Sequence, residues 1–131
     1  MALWPDVAKR RIQMRRTRHA LLFSLSLLLA APLAAAEHHL TSVNIEYENT
    51  KVWVPSTFTV KKGDTVKLTL INNVMSEPDH HGFAIPNFGI AETVMRGEPK
   101  TITFTADKAG IFPIQCHLHP AHVGGQLVVL E

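Results

Sequence analysis

From Leu40 onward the chain alternates apolar and polar residues in short runs, and Gly or Pro ends most of them. Such a pattern builds strands of a few residues and offers no 3.6-residue stripe with which a helix could bury one face. Leu40 to Tyr47 alternates around Val43, Ile45 and Tyr47, which reads as a half-buried strand. Thr65 to Ile71 sets Val66, Leu68 and Leu70 against Thr65, Lys67 and Thr69, and Lys100 to Thr105 sets Ile102 and Phe104 among threonines. Val52 to Val60 is rich in strand formers but carries Pro55, which predicts an edge or a bend. Lys61-Lys62-Gly63-Asp64 and Ala106 to Gly110 read as turns, and Asn72 to Asp79 as a loop. His81 to Ile85, Ile111 to Cys116 and Gln126 to Leu130 read as strands, while Asn87 to Glu98 gives no clear pattern. Seven to eight short strands with this punctuation predict an all-β Greek-key sandwich or barrel.

The first 36 residues have a different character. Basic residues run to His19, an apolar stretch of fourteen residues follows from Ala20 to Leu33, and Ala34-Ala35-Ala36 supplies small residues for cleavage. This is the layout of an export signal. Its apolar stretch is short of the roughly 20 residues that span a bilayer. The expectation is cleavage after Ala36, a periplasmic location, no stable membrane anchor after cleavage, and one domain over residues 37–131. That domain holds seven Lys and Arg against ten Asp and Glu, a net charge of −3. The basic character of the whole chain belongs to its first segment, so a nucleic-acid-binding reading fails.

Cys116 is the sole cysteine, which excludes an internal disulfide. Seven histidines lie in residues 37–131, as His38-His39, His80-His81, and His117, His119 and His122 beside Cys116. A thiolate with imidazoles suits copper, zinc or iron. Structural zinc favours paired, closely spaced ligands that this chain lacks. One Cys and two His in a loop between strands, with a distant His on another strand, match a His₂Cys copper site. Alternation along a strand sends Cys116 and His117 to opposite faces and puts His81 on the face of Phe83 and Ile85. The expected ligands are therefore His81, Cys116, His119 and His122. His80 and His117 are expected in solvent, and Met75 and Met95 in core or loop packing. Cleavage after Ala36 would also leave Glu37-His38-His39 as an amino terminus able to wrap Cu(II) or Ni(II) in nitrogen ligands.

The segments HGFAIP, TITFTADKAGIFPIQC and CHLHPAHVGGQLVVLE resemble cupredoxins, and among them nitrosocyanin, the red mononuclear copper protein, and the small periplasmic cupredoxin-like domains. The resemblance covers most of residues 40–131. It implies a Greek-key β-sandwich with one copper at one end, bound by His81, Cys116 and His119. The chain departs from nitrosocyanin in having His81 where that group has a glutamate before Gly-Phe. Its loop spacing instead resembles amicyanin, with His122 at the position of a methionine ligand. HGFAIPNFGI also resembles subunit II of cytochrome oxidase, but Pro120 stands where the binuclear centre needs a second cysteine.

The function these residues favour is one-electron transfer to or from a redox partner protein, with Pro120, Ala121 and Val123 as a docking patch. An electron carrier is favoured over an enzyme. The alternatives are an open copper site that binds a small molecule such as nitric oxide, and a periplasmic copper carrier or store. The metal cluster is accompanied by no nucleophile or acid–base group, so hydrolysis is not expected.

Overall fold

Val66, Leu68 and Leu70 are buried while Lys67 between them is exposed, so the alternation in Thr65–Asn72 sorts core from solvent as expected. The computed structural model describes residues 34–131. Residues 1–33, the larger part of the expected export segment, lie outside the described residues. Nine strands follow in order: β1 Glu37–Tyr47, β2 Thr50–Val54, β3 Thr57–Lys61, β4 Thr65–Asn72, β5 His80–Ile85, β6 Ile90–Met95, β7 Lys100–Thr105, β8 Gly110–Ile114 and β9 Gly125–Leu130. One 3-10 turn, Pro86–Phe88, joins β5 to β6. No helix among the described residues is long and apolar enough to cross a membrane.

The strands form three sheets, ordered β2-β1-β4-β7, β3-β9-β8 and β5-β6. Pairing is mixed: β1 runs parallel to β4 and β3 parallel to β9, while the other pairs are antiparallel. The all-β expectation holds, with nine strands in place of seven to eight, and the named pairings leave three separate sheets and not one closed barrel. The inward residues of all three meet in one core that includes Trp53, Phe58, Leu68, Phe83, Ile85, Val94 and Leu127. Burial of each large side chain there contributes about 1.5–3 kcal/mol.

Two local readings need correction. The buried side chains of β1 are Ser42 and Asn44, whereas Val43 and Ile45 are half-buried and Tyr47 is exposed. The Ser42 hydroxyl donates to the Pro55 carbonyl at 3.1 Å, so a polar residue takes an inward position with its hydrogen bond satisfied. The unreadable stretch after Asn87 contains β6. Only its Val94 is fully buried, so it carries no apolar alternation.

Pro55 separates β2 from β3, and β2 lies at an edge of its sheet, as its position predicted. At the other turn, Asp64 accepts from the backbone N–H groups of Ala36 and Lys61, both at 2.9 Å, and pairs with His38 Nε2 at 2.7 Å. Those contacts, the His38 contact first, hold its carboxyl well below the usual range, at about 2.

Candidate metal centre

β5 brings His81 in from one side. Its whole run from His81 to Ile85 is buried, with His81 fully so, and His80 beside it is half-buried. The Trp53 indole N–H donates to the Gly82 carbonyl at 3.0 Å, and the Trp53 and Phe83 rings meet edge to face at 5.3 Å. These contacts fix the height of β5 in the core. The Cys116 segment is tied to β5 by a reciprocal pair of hydrogen bonds: Ala84 N–H to Gln115 O at 2.8 Å, and Gln115 N–H to Ala84 O at 3.0 Å.

Beyond Cys116 the chain curls back on itself. His119 N–H donates to Cys116 O at 3.2 Å, and His122 N–H donates to His119 O at 3.0 Å. Two successive tight turns thus carry His119 and His122 back over Cys116 and His81. Gly125 closes the loop against β3. A Cβ there would lie 1.9 Å from the Ser56 carbonyl oxygen, so only glycine permits the approach.

The result is a cluster of His81, Cys116, His119 and His122 whose ligand atoms all lie within 4.8 Å of one another. Ring centroids are 5.4 Å apart for His81 and His119, 5.1 Å for His81 and His122, and 4.8 Å for His119 and His122. Cys116 Sγ lies 3.6 Å from His119 Nδ1 and accepts the Gly82 N–H at 3.2 Å. Both ring nitrogens of His81, and Nδ1 of His122, are buried without a hydrogen-bond partner. Most buried polar atoms in folded proteins are satisfied, so an unpartnered nitrogen from each of the His81 and His122 rings, grouped with the Cys116 thiol, fits a metal as the missing partner. Burial first, then the charges of His122, His119 and Lys51, hold the His81 imidazole down at about 4. Burial, His119 and Lys51 lower His122 in the same way. Neutral imidazoles are the form that binds metal.

The four residues singled out from the sequence are therefore brought together, and the other histidines are not part of the group. His80 Nδ1 contacts Asp79 Oδ1 at 3.0 Å. His117 is exposed, and its ring lies over Gly82, where a Cβ would come within 2.7 Å of His117 Nδ1. Met75, in the loop between β4 and β5, is 74% exposed and Met95, at the end of β6, 36%, so neither packs in the core. Glu37, His38 and His39 are not a loose terminus. They begin β1, paired with Thr65, Val66 and Lys67 of β4, and the His38 ring is held by Asp64. Sequence reading missed the Trp53 contact to Gly82 and the Lys51–Glu46 ion pair near the cluster. The first had no signal, and the second was legible only as two opposite charges at a turn.

A cupredoxin-like domain model matches residues 19–129, and the chain belongs to that family. Its fold and its His/Cys cluster are those of a copper-binding protein of the electron-transfer type. Nitrous-oxide reductase from Pseudomonas fluorescens is 40% identical over 76 residues, covering 54% of this chain and 12% of that protein. The chain thus spans about an eighth of the length of that relative. Among solved structures, reduced auracyanin from Roseiflexus castenholzii aligns with a TM-score of 0.58 and 21% identity, covering 74% of this chain and all of that one. Copper nitrite reductase from Nitrosomonas europaea aligns at 0.54 and 22% identity, covering 72% and 41%. At these identities the two structures speak to the fold alone.

Proposed function

We propose that this chain is an exported mononuclear copper protein that carries single electrons, with His81, Cys116, His119 and His122 as the ligands. The observation that carries the reading is the convergence of one buried thiol and three imidazoles, with three orphaned ring nitrogens, in one cluster. Copper supplies a one-electron Cu(I)/Cu(II) couple when bound. Cys116 offers a soft thiolate, steadied by the Gly82 N–H. His81 is set on a strand locked in the core, and His119 and His122 on a loop tied down by its own turns. Ligands held this way keep one arrangement in both oxidation states, which favours rapid transfer with little rearrangement.

Around the partly exposed His119, Leu118 is 38% and Val123 51% exposed, and Pro120 and Ala121 are also exposed. This apolar rim suits docking of a redox partner protein. The basic stretch to His19, the apolar run from Ala20 to Leu33 and the three alanines support export to the periplasm. Cleavage after Ala36 would then give a working domain of residues 37–131.

The test is a Cu(II) titration of the purified chain beside Cys116→Ser, followed by visible absorbance and spin resonance. An intense band that saturates at one copper per chain and vanishes in Cys116→Ser supports the reading. Equal copper binding by both proteins without such a band overturns it.

A second reading follows from a cavity of about 170 Å³ lined by Gln115, Cys116, His117, Pro120 and His122. It offers a small molecule access to the cluster, as an open site of the nitrosocyanin kind requires. Azide added to the copper-loaded protein separates the two: a changed Cys116-dependent band favours the open site, and an unchanged one the electron carrier.

A further inference from the structure

Lys51 and Glu46 stand directly opposite each other where β1 and β2 pair. Their side chains form an ion pair, Nζ to Oε1 at 3.0 Å. Ion pairs of this kind are usually solvated and worth little. Here the two partners are unequally placed. The Lys51 side chain is 14% exposed and that of Glu46 36%, so the cation lies inward and the anion outward. Among the described ion pairs no other cation is so well covered.

The backbone binds this pair to the cluster. Lys51 O accepts the Val123 N–H at 3.2 Å, and Val52 bridges to Val123, the residue that follows His122. The ammonium also acts electrostatically on both His81 and His122. A charge shielded from water acts over a longer range than one in bulk solvent.

We infer that the Lys51–Glu46 pair is an electrostatic bias on the copper centre, in which Lys51 favours Cu(I) and Glu46 opposes it. The inference rests on the copper reading above. Its physical basis is that a site holding Cu(II) carries one more positive charge than the same site holding Cu(I). A fixed cation close by raises the reduction potential, and a fixed anion lowers it. Neither residue is a ligand, and both act through the field at the histidines.

The experiment is a redox titration of the copper-loaded full chain and of Lys51→Met, Lys51→Arg, Glu46→Gln and the Lys51→Met/Glu46→Gln double variant. The Cys116-dependent band reports an intact centre in each. Lys51→Met should shift preference toward Cu(II) and Glu46→Gln toward Cu(I), each by roughly threefold to tenfold, tenfold being about 59 mV for one electron. Lys51→Arg and the double variant should lie near the unsubstituted protein. Both single variants weaken the same ion pair, so a merely structural role moves them in the same direction. Opposite shifts support the inference, and shifts of the same sign or none overturn it. If Lys51→Met fails to fold, Glu46→Gln and Lys51→Arg still decide: a raised potential in the first with none in the second supports it, and any other pattern overturns it. If the unsubstituted chain gives no Cys116-dependent band, the copper reading itself fails, and the bias with it.

Discussion

His122 is the residue whose chemistry sets this cluster apart from the amicyanin-like pattern that the loop spacing resembles. An imidazole donates more strongly to Cu(II) than a thioether, which favours Cu(I). His122→Met is therefore expected to raise the reduction potential and move the absorption toward blue, read by voltammetry and visible spectra. Gly82 is constrained from a different direction. Its N–H reaches Cys116 Sγ, and a Cβ would lie 2.7 Å from His117 Nδ1 and 3.0 Å from the His117 backbone nitrogen. Gly82→Ala must push the His117 segment away and disturb the thiol beside it. A loss of about 1–3 kcal/mol in denaturant unfolding is expected. The four residues of the cluster were legible in the sequence as a thiol and imidazoles of suitable type, and alternation at the start of β5 set the buried His81 apart from the half-buried His80. Cys116 and His117 lie past the end of β8 at Ile114, so the alternation expected to separate them does not reach them. The covering of Lys51 was not legible, because exposure of a lysine depends on what packs over it.

At the scale of elements, β5 is the strand on which the centre depends. It is buried from His81 to Ile85, and Phe83 packs against Trp53. Phe83→Ala leaves a cavity in the core and should cost about 3–5 kcal/mol in chemical denaturation. Its copper affinity should fall as well, because the cavity loosens the strand that holds His81. β4 and β7 were readable because each sits in a sheet with one face on the core. β1 misled because it lies between β2 and β4, and its inward positions are Ser42 and Asn44. β6 left no periodic trace because only one of its side chains is fully buried.

For the whole molecule, acid acts at two separate sites. His81 is held at about 4, below the ordinary 6.5, so the unfolded chain binds its proton first as pH falls. Metal-free protein should therefore lose stability between about pH 6.5 and 4, at up to about 1.4 kcal/mol per pH unit for this one group. Asp64, lowered from 3.8 to about 2, contributes stability above pH 3.8 that is lost as pH falls toward 2. Thermal unfolding across this range should show the first loss reduced by His81→Gln and the second by Asp64→Asn. A metal that binds only the folded chain should stabilise it by about 4 kcal/mol at a thousand times its dissociation constant, and raise the midpoint accordingly. The sequence by itself determined the strand-rich class, the family resemblance and the four chemically suited side chains. Those follow from alternation and ligand type, which are local properties. Only the tertiary structure decided that the ligand atoms of four residues from β5 and one loop lie within 4.8 Å of one another, that ring nitrogens of His81 and His122 lack partners, and that Lys51 is shielded in its ion pair. Burial and field at a point depend on which distant segments pack there, and no local pattern carries that information.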